Sequence, residues 1–214
     1  MKRRIAMTVS GVTLCAISVA FFRYAAFGMD AFQVFVNGMG EVVPIGYGTL
    51  YVIINVALLL FALVFDRHYI GLATFINLFL LGYIAEFSLY ILNQFFPNPG
   101  LLLRILFLII GIVILSLSSA LYYTSDLGVS TYDAIALVMA NKWKVAKFRY
   151  CRIGADLCVL ILGSIFYFWG NQSFSGLGAF VGIGTIITAF CLGPLIEVFT
   201  KTVAEPWLYK NSVL

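Results

Sequence analysis

The stretch GIGTIITAFCLGPLIEV at residues 182–198 repeats the pattern of GLATFINLFLLGYIAEF at residues 71–87. Seven of the seventeen aligned positions are identical, and they include two glycines, a threonine and a glutamate. A second match, at a shift of 100 residues, aligns Gly11 with Gly111 and Ser18 with Ser118. Apolar composition alone does not reproduce paired Gly, Thr and Glu, so the sequence predicts an internal duplication with halves 1–97 and 98–214.

The composition places the chain in a membrane. Of its 214 residues, 63% are apolar and 10% are charged, whereas soluble domains average about 25% charged residues. A soluble fold of this size could not bury that much apolar surface, and 20 Phe with 12 Tyr exclude a disordered chain. We therefore expect an integral membrane protein without a separate soluble domain.

Six apolar stretches are long enough to cross about 30 Å of hydrocarbon: 5–27, 46–65, 70–93, 101–124, 150–169 and 176–200. Each half holds three of them, and an odd number means that the second half enters the membrane from the opposite side. The predicted fold is an all-α integral membrane protein with six transmembrane helices, arranged as two inverted three-helix repeats. Inverted repeats of this kind recur in secondary transporters.

Lys and Arg are concentrated in alternate connections, at the N-terminus, at 66–69, at 142–152 and in the tail. The positive-inside rule then places both termini in the cytoplasm. We expect the apolar N-terminal stretch to be retained as the first span. The basic segment 142–152 is typical of contact with anionic lipid headgroups, and we expect no nucleic-acid partner.

A short polar segment follows the first span of each half. It contains Gly28, Asp30 and Gln33 in the first half and Gly128, Ser130 and Asp133 in the second. Glycine permits a sharp turn, and Asp or Ser is a good N-cap. Segments 29–38 and 129–141 are therefore predicted to be short helices, either re-entrant or interfacial.

Polar residues within spans are functional candidates because they are costly in hydrocarbon. Two matched pairs, Asn55 with Asp156 and Glu86 with Glu197, are expected to line a shared polar cavity. Structural alternatives are pairing of Glu86 with Arg23 or Arg104 and of Glu197 with Arg152 or Lys201. The candidate substrate-binding residues are Asp30, Gln33, Asn55, Thr74, Asn77, Glu86, Ser130, Asp133, Asp156, Thr185, Thr188 and Glu197.

Two further features bear on the sixth span and on the threonines. Pro194 removes a backbone hydrogen bond, so we expect the helix to be broken near its inner third. Thr74 and Asn77 share one helical face, as do Thr185 and Thr188, and such residues also serve as links between membrane helices.

The segment Gly128-Val129-Ser130-Thr131-Tyr132-Asp133 and the pattern Gly184-Thr185 to Gly193-Pro194-x-x-Glu197 resemble the YitT/YczE-type family of bacterial multi-span membrane proteins. The resemblance covers nearly the whole chain and implies location in the bacterial cytoplasmic membrane. Some relatives have been proposed as exporters of small organic molecules. The first half departs from the pattern, since Gln33 aligns with Asp133 and Tyr83 with the proline.

The function we expect is transport or export of a small organic molecule through a polar cavity between the halves. The alternative is a non-catalytic substrate-binding or accessory subunit of a larger membrane complex, with a second copy or another membrane protein as partner. No nucleophile–base pair or phosphate-binding loop favours an enzyme. His68 is the single histidine and the four cysteines lack ligand spacing, so we expect no metal or cofactor.

Overall fold

The structure is a computed structural model that describes residues 1–45, 47–172 and 181–209, and this part of the chain is helical without strands. Gly46, residues 173–180 with the expected start of the sixth span, and the tail from Lys210 lie outside the described residues. The helices are α1 Lys2–Ala25, α2 Ala31–Val42, α3 Tyr47–Phe65, α4 Leu72–Phe95, α5 Leu101–Ser125, α6 Thr131–Leu137, α7 Phe148–Asn171, α8 Ile183–Phe199 and α9 Glu205–Tyr209.

Five helices of the described chain are long and apolar enough to cross a membrane: α1, α4, α5, α7, and α8 with its extension to Tyr209. The remaining predicted span, 46–65, forms a shorter apolar helix, Thr49–Phe65. Large side chains such as Val64, Phe79 and Leu102 point outward from the bundle. The chain is therefore a multi-pass membrane protein whose apolar surface faces lipid.

The centre of the bundle is the crossing of α1 with α5, which are the first spans of the two halves. A glycine from each helix lies at this crossing. A Cβ on Gly11 would be 3.1 Å from the Ser118 carbonyl oxygen, and a Cβ on Gly111 would be 3.3 Å from the Phe21 Cβ. Small residues let membrane helices approach closely, so the matched glycines allow the two halves to share one core.

Two equivalent hydrogen bonds join the halves at the starts of α4 and α8. The Ala73 N–H donates to the Leu127 carbonyl at 3.0 Å, and the Gly184 N–H donates to the Phe27 carbonyl at 2.9 Å. Ala73 corresponds to Gly184 and Phe27 to Leu127 in the aligned repeats. The turn after the first span of each half therefore holds the third helix of the other half.

The short helices α2 and α6 are buried in the bundle. α2 packs along α7, and α6 packs against α3 and α7. The α2–α7 contact is close because Gly38 faces the backbone of Gly163 and Gly170 faces the backbone of Glu41. The predicted N-caps are confirmed. The Asp30 side chain accepts a hydrogen bond from a backbone N–H in the first turn of α2, and the Ser130 side chain does the same in α6.

The expected break at Pro194 is wrong. α8 runs through the proline from Ile183 to Phe199, and the first departure is a π-helical turn at Thr200–Ala204. A membrane helix tolerates one missing backbone hydrogen bond when neighbouring turns adjust locally.

We predict that Gly28→Ala and Gly128→Ala each destabilise the protein by at least about 1–2 kcal/mol, since a residue with a Cβ is strained at a positive φ angle. These glycines have φ values of 106° and 96°, and a Cβ on either would clash with Gly182 or Gly71. Thermal unfolding in detergent, followed by tryptophan fluorescence, measures the effect.

Gly154→Ala is the matched control, because Gly154 lies within α7 with no described atom within 4 Å of an added Cβ. The midpoint temperature of its thermal unfolding is expected to stay the same as in the wild type or to rise. Equal midpoints for all three variants would contradict the role given to the two turns.

Candidate functional site

A polar pocket of about 70 Å³ lies at the centre of the bundle. Its walls come from α1 to α7 and from the turns before α2 and α6. Residues at aligned positions of the two halves contribute in pairs: Cys15 and Leu115, Val19 and Ser119, Asp30 and Ser130, Phe32 and Tyr132, Gln33 and Asp133, and Tyr51 and Arg152.

The N-termini of the two short helices supply part of this lining. The Asp30 carboxylate accepts the Gln33 N–H at 3.2 Å, and the Ser130 hydroxyl accepts the Asp133 N–H at 3.1 Å. Each cap thus fixes the first turn that carries residue 33 or 133. The caps are equivalent in geometry, but one carries a charge and the other does not.

The centre of the site is Arg152, which is bonded to two carboxylates. It donates to Asp133 on α6 and, at 3.1 Å, to Asp156 one turn further along α7. The exposed fractions are 8% for Arg152, 4% for Asp133 and 2% for Asp156. A buried charge is stable only when paired and hydrogen-bonded, so these three side chains depend on one another.

Tyrosines complete the hydrogen bonding of both carboxylates. The Tyr122 hydroxyl donates to Asp133, and the Tyr132 hydroxyl donates to Asp156 at 2.6 Å. A further hydrogen bond joins the halves nearby, where Thr131 donates to the Asn55 side-chain oxygen at 2.6 Å. Three helices, α5, α6 and α7, are therefore held together through one buried polar network.

A second, wider cavity of about 720 Å³ adjoins the pocket. It shares Val19, Gln33, Tyr51 and Leu81 with the pocket and is walled mainly by α3 and α4. Its lining is largely apolar, with Arg23 and Glu86 as its charged side chains. Together, the two spaces combine a small polar chamber with a larger apolar one.

The structure gathers most of the residues that the sequence singles out. The pocket is lined by Asp30, Gln33, Asn55, Asn77, Ser130 and Asp133. Asp156 lies directly behind it, bonded to two lining residues, and Glu86 lines the wider cavity.

The threonines lie at the contacts between the halves. Thr74 donates to the Val129 carbonyl at 2.7 Å, and the Gly182 N–H donates to Thr185 at 3.3 Å. Thr188 is fully buried and donates to the Thr185 carbonyl at 2.9 Å. Their visible contacts are structural, and none of the three lines the pocket.

The two matched pairs do not meet in one cavity. Glu197 forms an exposed ion pair with Lys201 at 2.9 Å, while Glu86 faces the wider cavity. Arg104, which was one expected partner of Glu86, instead donates to the Ala25 carbonyl at 2.7 Å and to Ala26 at 2.9 Å. The alignment matched the positions of Glu86 and Glu197 along their helices, but the direction in which each side chain points depends on helix rotation.

Arg152 is the main residue that sequence reasoning missed. Its place at the end of the basic segment 142–152 suggested lipid headgroups, yet it is buried and ion-paired. Its spacing of four residues from Asp156 within an apolar helix was the signal that could have identified it. Tyr122 and Tyr132 gave no comparable signal, since tyrosine is common at membrane interfaces.

Three bacterial relatives are similar in sequence. An uncharacterized protein of Haemophilus influenzae is 25% identical over 136 residues, which is 64% of this chain and 56% of that protein. In Bacillus subtilis, the uncharacterized protein YyaS is 22% identical over 201 residues, covering 94% of both chains. The uncharacterized membrane protein YczE is 23% identical over 191 residues, covering 88% of this chain and 81% of its own.

No solved structure matches the chain. The family described as a family of unknown function, DUF6198, matches residues 2–201. The match spans most of the chain, and the similarity to YczE confirms the resemblance drawn from the sequence motifs. The chain therefore belongs to the DUF6198 family of YitT/YczE-type bacterial membrane proteins.

Proposed function

We propose that the chain is a secondary transporter that moves a small organic molecule across the bacterial cytoplasmic membrane, with both termini in the cytoplasm. Two inverted halves, 1–97 and 98–214, would alternately open the central pocket to each side. The observation that carries the proposal is the pocket itself, since aligned residues from both halves line it. A binding site at the interface of inverted repeats near the bilayer midplane is typical of such transporters.

A difference between the halves supports the proposal. At Gly193 on α8, an added Cβ would lie 3.1 Å from the Arg149 carbonyl oxygen, so the start of α7 covers this glycine. At the aligned Gly82 on α4, no described atom lies within 4 Å of an added Cβ. The wide cavity lies on this uncovered side. An alternating-access protein is expected to be closed on one side and open on the other in any one state.

The predicted topology gives a direction to this difference. α4 runs outward, so Gly82 and Glu86 lie toward the outer surface, whereas Gly193 and Arg149 lie toward the cytoplasm. The conformation is then open to the outside, and the transport cycle requires α3 to approach α4 while the start of α7 leaves α8.

Transport can be tested without knowing the substrate. Proteoliposomes containing the protein would be incubated in a bacterial metabolite extract, and their contents identified by mass spectrometry. We expect at least one compound to accumulate, and Asn77→Leu to reduce its accumulation at least about tenfold, since a single lost polar contact of about 1.4 kcal/mol gives that factor. Asn77 lines the pocket and forms no hydrogen bond with described residues, so the substitution removes no hydrogen bond within this part of the chain.

Ser164→Ala removes a polar group from a membrane helix at a position that lines neither cavity, and it is expected to transport like the wild type. If no compound distinguishes wild-type proteoliposomes from protein-free liposomes, the transport proposal fails. Co-purification of a stoichiometric membrane partner in that case would favour the accessory-subunit alternative.

The conformational cycle is tested by placing a larger side chain at Gly82, on the open side of the protein. We predict that Gly82→Leu raises the unfolding temperature, because Leu is a better helix former than Gly by up to about 1 kcal/mol, but abolishes transport by preventing closure. Spin labels at positions 49 and 86, both exposed, would report the α3–α4 distance in nanodiscs. The wild type should show two distances and the variant only the longer one.

Labels at positions 150 and 197 are the matched pair in the second half. These labels report the distance between the start of α7 and α8. They should show only the short distance in Gly82→Leu and both distances in the wild type. One unchanging distance for each pair in the wild type would contradict alternating access.

A further inference from the structure

Two polar side chains in the pocket form no hydrogen bond with any residue that the structure describes. Asn77 is 6% exposed and Ser119 is 5% exposed, and both line the pocket. Neither side chain forms a hydrogen bond within the described part of the chain. Leaving a buried polar group unsatisfied costs about 1–3 kcal/mol, so water or a ligand in the pocket must supply these contacts, and both groups are available to bind a ligand.

The charges around the pocket are unbalanced toward the negative. Asp133 and Asp156 share the single guanidinium of Arg152. Asp30 also lines the pocket, and no Lys, Arg or His of the described residues forms a salt bridge with it. Three carboxylates therefore surround one cation. Asp30 is half-buried, and a carboxylate that is partly withdrawn from water is stabilised by a nearby positive charge, which favours a positively charged ligand.

Aromatic rings lie next to these carboxylates. Phe32 and Tyr132 are stacked with centroids 4.9 Å apart and an interplanar angle of 21°, and both line the pocket. The Arg152 guanidinium already lies 4.9 Å from the Tyr132 centroid. Aromatic faces attract cations most strongly where water is excluded. The surroundings therefore suit a cation rather than an anion.

The sizes of the two cavities suit a ligand with a small polar head and a larger apolar body. A single water needs about 10–15 Å³ of such a cavity, so the pocket of about 70 Å³ holds a group of a few heavy atoms. The adjoining cavity of about 720 Å³ is within the usual range for small-molecule sites and is mostly apolar.

We infer that the site binds an organic amine as its ammonium ion, with the charged head beside Asp30 and Asn77 and the apolar body in the wider cavity. This inference deepens the proposed function by naming its substrate class, and it depends on that function only for the movement of the amine across the membrane. Arg152 does not favour an anionic ligand, because its guanidinium is already paired with Asp133 and Asp156.

Binding is tested with three probes that share one body. Phenethylamine is protonated at about pH 7, as lysine-type amines are, while 2-phenylethanol is neutral and 3-phenylpropanoate is an anion. Affinities would be measured by isothermal titration calorimetry on the protein in nanodiscs, with protein-free nanodiscs to correct for partitioning into lipid. We expect the amine to bind at least about tenfold more tightly than the alcohol or the carboxylate, since charge-assisted hydrogen bonds are roughly twice as strong as neutral ones.

The repeat supplies the matched variants. Ser130 caps α6 in the way that Asp30 caps α2, so Asp30→Ser removes the charge while it keeps the cap. We expect this variant to weaken amine binding about tenfold or more and to change alcohol binding little. Ser130→Asp adds a carboxylate to the same pocket and is expected to tighten amine binding.

Equal affinities for the amine and the alcohol would overturn the inference, and so would tighter binding of the carboxylate. Amine binding that is unchanged in Asp30→Ser would overturn the assigned contact. If the amine binds as expected but no flux is detected, the inference stands and the transport proposal falls.

Discussion

The interaction on which the rest of the site depends is the pairing of Arg152 with Asp133 and Asp156. Each of these charges would be prohibitively expensive alone in a bilayer, and removing one partner of a buried ion pair typically costs about 3–5 kcal/mol. The pairing therefore requires α6 to lie against the start of α7. This position of α6 also brings Thr131 to Asn55 and Tyr122 to Asp133, which closes one wall of the pocket.

The charged network comes from the second half alone. The aligned positions of the first half carry Gln33, Tyr51 and Asn55, which are neutral and line the same pocket. Because aligned residues of the two halves meet at one place, a second set of charges would lie against the first and raise the desolvation cost. At the caps the difference is reversed, since Asp30 of the first half carries a carboxylate where Ser130 of the second half carries a hydroxyl.

Much of this could be predicted from the sequence. Five of the six spans, the two glycine turns and both N-caps depend on local composition and backbone chemistry, and these were confirmed for the described residues. The direction of Glu197, the course of the helix through Pro194 and the burial of Arg152 were not predictable in this way. Each depends on helix rotation or on a partner far away in the chain, as Arg152 does on Asp133.

The position of Arg152 on α7 connects the pocket to the closed side of the protein. The second part of α7 is held against α2, where Gly163 faces Gly38. Its first turn contacts the second half, where Phe148 packs against the Tyr123 ring and the Arg149 backbone covers Gly193, three residues before Arg152. Energetic coupling requires an element with two arrangements that both sites bias. A cation beside Asp30 would repel the Arg152 guanidinium, and we expect a resulting shift of Arg152 to move the first turn of α7 against Gly193.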